Sequence, residues 1–361
     1  MEAKQKHKKW LPLSNPRKIW LSLGLILLGL VLSLLSRYIA GFADTYYTYL
    51  YRYISVVFAF LFNIVPFSIA EVSLYILLLL FVGSILYGFF VISRKKGRRK
   101  TYWARIGCNG LLIISVIFFL FIVFCGVNYQ KTSFAAKEKF SEKQYGAKEL
   151  KEVCVFLTDQ INTLGEKDLT FTNIREESRE ALTNLSKSYS SLKGYYPKPK
   201  YLLIPELLSY QQVSGVYSFY TIEANYNSDM PLYQQPFVMC HELAHLKGIM
   251  KEEEANFVAY LACRNSGNSA FRYSGAMSAY SYCMNELYTF DKEAYEEIRG
   301  KLCERANQDI AAKHAFWQQY EGTISNLQTK VNDAYLKANS QPSGVSSYNE
   351  VVALIINDYL K

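Results

Sequence analysis

Four stretches in the first third of the chain run for 18 residues or more without a charged side chain: residues 19–36, 53–70, 72–93 and 106–130. A helix of about 20 apolar residues crosses a hydrocarbon core of roughly 30 Å, so each stretch is long enough to be tested as a membrane span. The second is the weakest, because it contains Asn63 and Pro66 and loses apolar character near its end. The flanking charges decide the count. KQKHKK with Arg17 and Lys18 precedes the first stretch, and RKKGRRK separates the last two. Basic clusters stay on the cytoplasmic side. Three crossings put both clusters there, whereas four would separate them. The sequence therefore predicts spans at 19–36, 72–93 and 106–126, with 53–70 interfacial or re-entrant on the outer side. Tyr46, Tyr47, Tyr49, Tyr51 and Tyr53 suit an interface, where an aromatic ring meets both lipid and water. The first stretch is longer than a signal-peptide core and no small-residue cleavage site follows it, so it reads as retained. The expected organisation is a membrane region, 1–130, and an extracytoplasmic domain, 131–361.

The net charge of +9 invites a nucleic-acid reading, but its distribution argues against one. Residues 1–126 carry 15 Lys and Arg against three acidic residues, and residues 127–361 carry 25 against 28. The positive charge borders the apolar stretches, where it sets topology, so a nucleic-acid partner is not expected and a lipid bilayer is. The seven cysteines form no CxxC pair. An exported location permits disulfides, but buried free cysteines fit the odd number at least as well.

The remainder reads as α+β and predominantly helical. Apolar positions recur at helical spacing over 133–164 and 170–192. YLLI, 201–204, suits a strand, and VSGVYSF, 213–219, with TIEANYN, 221–227, suits a strand pair of a small antiparallel sheet. A helix begins near Pro231–Pro236 and ends at Gly248, and KEEEANFVAYLACR starts another with acids in its first turn. Helices follow at 274–290, 295–319, 324–336 and the C-terminus.

HELAH, His241 to His245, is the decisive motif. Residues i and i+4 share one helix face, so both imidazoles can reach one ion, and Glu242 beside them can take a proton from water activated there. Zn2+ suits two imidazoles and a carboxylate with one position left for water. Lys251 stands where a third histidine of the pattern HExxHxxGxxH would be, so one carboxylate among Glu252, Glu253 and Glu254 on the next helix is the expected third ligand. Candidates for stabilising an oxyanion are Tyr273, His314 and Tyr348, while Arg272 could pair with an acid near the site.

HELAH followed by EEEAN resembles the gluzincin pattern, HExxH and then ExxA[DN]. That resemblance implies a zincin-like domain with Glu252 as the third ligand and Ala255 and Asn256 completing the motif, with Glu254 as second choice. Asn256 replaces the usual aspartate; it can hydrogen-bond but brings no charge. The chain is also similar to bacterial membrane proteins of the DUF3810 type over YSFYTIEANYNSDMPLYQQPFVMCHELAH, EEEANFVAYLAC, FRYSG at 271–275 and GVSSYNEVV at 344–352. This implies N-terminal transmembrane helices ahead of an HExxH domain, in a cell membrane. Gluzincin-like domains present an edge strand above the metal, which would place TIEANYN over the site with Tyr220, Glu223 and Asn225 lining a cleft.

Together these readings predict a membrane-anchored zinc metallopeptidase acting on peptides or exported proteins. The alternative is a non-catalytic zinc- and peptide-binding sensor or structural protein of the cell envelope. Cleavage inside the bilayer is disfavoured by the distance in sequence between HELAH and the apolar stretches.

Overall fold

The structure, a computed structural model, describes residues 15–140 and 144–361; the first basic cluster, residues 4–9, lies outside the described residues. Five helices lead the chain: α1 (Asn15–Tyr38), α2 (Phe42–Tyr46), α3 (Arg52–Phe62), α4 (Ile69–Phe90) and α5 (Arg99–Phe124). A π-helical segment, Tyr47–Tyr51, joins α2 to α3. Three helical stretches, Asn15–Tyr38, Ile69–Arg94 and Arg99–Gln130, are long and apolar enough to cross a membrane. They contain the three predicted spans. At 1.5 Å per residue, the 24 residues of α1 extend for about 36 Å, enough for the hydrocarbon core.

The weak stretch 53–70 is not one helix. It divides into α3 and a turn through Pro66, and Ser68 then caps α4 by accepting the Glu71 N–H. Both ends of α2–α3 touch the C-terminal region. At one end Asp44 accepts the Thr132 N–H, in the middle the Tyr51 hydroxyl donates to the Leu246 carbonyl, and at the other end the Lys200 ammonium donates to the Phe62 carbonyl. The near ends of α1, α4 and α5 lie on that same side. Arg37 donates to the Ala338 carbonyl, Glu71 accepts from the Leu203 N–H, and Tyr129, just beyond α5, bonds Tyr335. Held to the same body at both ends, α2–α3 forms a bracket, with Val57, Phe60, Leu61 and Ile64 exposed.

The C-terminal region comprises α6 (Phe134–Lys137), α7 (Ala147–Gly165), α8 (Ile174–Leu185), α9 (Glu206–Ser209), α10 (Gln235–Leu246), α11 (Glu252–Arg264), α12 (Ser269–Phe290), α13 (Lys292–Arg299), α14 (Glu304–Gln318), α15 (Thr323–Ala338) and α16 (Val351–Tyr359). Its strands are β1 (Lys200–Tyr201), β2 (Gly215–Ser218) and β3 (Glu223–Tyr226), in the order β1–β3–β2. The expected antiparallel pair is β2 with β3, and the short β1 adds a parallel strand on the other side. The expected single helix over 295–319 is two helices. Asn162 explains the break: its amide accepts the Cys303 N–H and donates to the Lys301 carbonyl, fixing the turn between α13 and α14.

Every residue of α10 is buried. It packs against α8, α11, α12 and the sheet, within a core that includes Leu157, Leu182, Leu243, Phe257, Phe271 and Ile355. No disulfide joins the cysteines; Cys240 and Cys263 approach to 4.0 Å between α10 and α11 as free thiols.

Two carboxylates fasten the leading helices to the sheet. Glu223 on β3 accepts from the Ile69 and Ala70 N–H groups, which are left without intrahelical partners at the start of α4, and pairs with Lys200 at 2.5 Å. In the opposite direction, Glu71 on α4 accepts from the Leu203 and Ile204 N–H groups.

Candidate metal centre

His241 and His245 lie one turn apart on α10, and Gly248 ends the helix with φ +71°, a left-handed conformation that costs a residue with a Cβ about 1–2 kcal/mol. The chain reverses there, and Glu252 opens α11 facing back toward the imidazoles. His241 Nε2 is 3.0 Å from His245 Nε2 and 3.2 Å from Glu252 Oε2, while His245 Nε2 is 3.7 Å from the same oxygen. These three donors form a cluster able to hold a metal ion.

The donor chemistry fits such an ion. His245 Nδ1 is 2.7 Å from the Ile249 carbonyl, which can only accept, so Nδ1 carries the proton and Nε2 turns its lone pair to the cluster. Two ring nitrogens and a carboxylate oxygen converging in this way call for a positive centre between them. Four ligands at about 2.0–2.1 Å in a tetrahedron are about 3.3–3.4 Å apart, the range that the three separations bracket. The electrostatics agree. Burial pushes His245 down to about 4. Burial acts the same way on His241, but the hydrogen bond and charge of Glu252, with smaller help from Glu242 and Asn256, outweigh it and leave His241 raised.

Glu242 is buried beneath β2. The Tyr217 backbone N–H hydrogen-bonds its carboxylate, and burial raises the carboxyl to about 8. Gly215 explains how the strand comes so close. A Cβ there would lie 2.5 Å from Glu242 Oε1, so only glycine fits. The other acids of the cluster are engaged elsewhere. Glu254 accepts the Ala135 N–H at 2.9 Å, and Glu253 accepts from Gln341 and is pushed by burial up to about 7.

The site's surroundings come from both parts of the chain. The Tyr51 hydroxyl donates to Leu246 and lies 3.3 Å from the Tyr217 hydroxyl, and the Tyr217 ring stands 6.2 Å from that of His245. Cys125 meets Met250, and Tyr47, Tyr51 and Asn128 press on Gly248. HELAH, remote from the apolar stretches in sequence, thus abuts their ends in space. Distance in sequence is therefore no argument against cleavage inside the bilayer, although HELAH lies on none of the three long apolar helices.

The model of a family described as "Protein of unknown function (DUF3810)" matches residues 46–356. The chain belongs to the DUF3810 family. The match takes in α3, α4 and α5 as well as all the residues of the cluster. No curated protein and no solved structure matches the chain.

Several other expected residues of this DUF3810 protein lie elsewhere. Tyr273 is buried with its hydroxyl on Asp309, His314 is on the exposed side of α14, and the Tyr348 side chain lies outside the described residues. Arg272 binds the carbonyls of Ser266 and Gly267 rather than an acid of the site. β3 is the central strand, so the edge strand above the cluster is β2. Glu223 and Tyr220 serve the junction with α4, and Asn225 donates across the hairpin to Val216. The residues that sequence reasoning missed are Gly215 and Tyr217. The alternation of VSGVYSF places them on one strand face, which was the available signal. Tyr282, also missed, sits by Glu252, whose charge adds to burial in raising the Tyr282 hydroxyl.

Proposed function

We propose that this chain is a membrane-anchored zinc-dependent peptidase, with His241, His245 and Glu252 as ligands and Glu242 as general base. The observation carrying the reading is the convergence of three donors at 3.0–3.7 Å beside a buried carboxyl group. Zinc held there supplies a Lewis acid that polarises a peptide carbonyl and acidifies water. Glu242 takes the proton of the attacking water and returns it to the leaving amine, a role for which a carboxyl raised toward neutral pH is suited. The Tyr217 N–H fixes that carboxylate, and Asn256 and the Ile249 carbonyl orient the two imidazoles. The membrane region is 1–130 and the metal-bearing domain 131–361, on the extracytoplasmic side.

A second reading is a zinc- and peptide-binding protein without turnover. It is favoured by the close cover of β2 over Glu242 and by ligand side chains that are only 10–11% exposed. One experiment separates the two. The full chain in detergent is assayed for zinc content and for cleavage of a peptide pool, beside Glu252→Ala and Glu242→Gln. The peptidase reading expects about one zinc per chain and cleavage in the wild type, loss of zinc in Glu252→Ala, and retained zinc without cleavage in Glu242→Gln. Zinc without wild-type cleavage supports the binding reading, and a folded wild type without zinc overturns both.

A further inference from the structure

We propose that the substrate is an extended juxtamembrane segment of another membrane-anchored polypeptide, which pairs with the free edge of β2. The inference deepens the peptidase reading and rests on it for its chemistry.

β2 pairs with β3 on one side, and no strand lies on its other side among the described residues; Glu242 takes the Tyr217 N–H there, so an added chain pairs with the other backbone groups of that edge. An uncovered edge can add an extended chain through backbone hydrogen bonds. The two ends of β2 have different surroundings. Gly215 lies on Glu242, at the metal cluster. Four residues later, Phe219 meets Phe121 of α5 edge-on at 5.5 Å, and the Tyr220 hydroxyl donates to the Ala70 carbonyl at the start of α4. That is the rim of the membrane-spanning bundle. Side chains of α5 are exposed up to Ile117, and those of α4 from Leu74 onward, as lipid-facing residues must be. At about 3.3 Å per residue, the strand covers roughly 13 Å between cluster and rim. A chain paired along β2 therefore has one end at the bilayer and its reacting bond only about four or five residues away.

The rim itself is apolar. Leu203 and Ile204, whose N–H groups bind Glu71 one turn above Leu74, expose about half of their surface, and the α2–α3 bracket exposes Phe60, Leu61 and Ile64. Such a border suits a lipid headgroup layer. A soluble peptide reaching the lower end of β2 would have to enter that layer, whereas a membrane-anchored chain already emerges from it.

The test uses the full chain in lipid vesicles with one pool of 20-residue casein peptides in two forms, free and coupled at one end to phosphatidylethanolamine. A soluble zinc peptidase on identical vesicles gives the acceleration due to confinement alone. The expected result is cleavage of the coupled pool at least tenfold beyond that control, with cuts within about ten residues of the lipid. A photo-crosslinker placed at Val216 in the Glu242→Gln chain should also capture the coupled pool in preference to the free one. Equal cleavage and capture of the two pools overturns the inference and leaves the peptidase reading standing. Preferential capture without wild-type cleavage overturns the peptidase reading and with it the substrate role, leaving a membrane-anchored segment as a ligand of β2. Absence of both capture and cleavage overturns both.

Discussion

α4 and α10 are both enclosed along most of their length, yet by different media. α4 turns its apolar side chains outward, with Leu79 71% exposed, because lipid is to surround it. α10 is covered on every side by protein and carries its chemistry on a fixed surface. Side chains facing lipid need little complementarity, since hydrocarbon fits any apolar shape, whereas α10 depends on close packing against its neighbours. The difference teaches where this protein tolerates change: broadly in the spans, narrowly around the cluster, and least where the two meet.

Mutations should rank accordingly. Glu252→Ala should abolish zinc retention by the full chain through gel filtration while leaving the helical circular dichroism intact, and Glu254→Ala should retain the metal. Retention by Glu252→Ala would reassign the third ligand. Lys200→Met leaves Glu223 buried and charged without its partner, and should cost about 3–5 kcal/mol in denaturant unfolding in detergent. A cost below about 1 kcal/mol would show that the junction is looser than its 2.5 Å pair implies. Leu243→Ala removes the buried leucine of HELAH itself, opens a cavity in the core, and should cost about 2–5 kcal/mol. Gly248→Ala should cost about 1–2 kcal/mol for its left-handed backbone, and more if Tyr47 and Tyr51 do not yield. Leu79→Ala should fall within about 0.5 kcal/mol of wild type by the same assay. A large loss there would mean that α4 has a protein neighbour, and would collapse the contrast with α10.

How much could be read in advance depended on how local each signal was. The spans were legible because a charge-free run and its basic borders are contiguous in sequence. HELAH was legible because a helix brings residues four apart together whatever surrounds it. Glu252 came into view through the motif that follows, and the turn at Gly248 supplies the geometry. Glu223 was misread because its partners, Lys200 and the N–H groups of Ile69 and Ala70, are remote in sequence, and nothing in TIEANYN points to them. The order of the sheet was illegible for the same reason: β1 is only two residues long, yet its presence makes β3 central and β2 the edge. Sequence separation also disguised how closely HELAH approaches the span ends.

The exchange of carboxylates between Glu71 and Glu223 has a consequence for biogenesis. α4 is synthesised well before β3, yet the buried charge on β3 needs the amides at the start of α4 to be in place. A chain in which α4 has failed to insert offers Glu223 only Lys200 and Thr221, and Glu71 loses the backbone of Leu203 and Ile204. Completion of the fold around the cluster is thereby conditional on correct insertion, so a misthreaded molecule would remain open to quality-control proteolysis before it could acquire an ordered site.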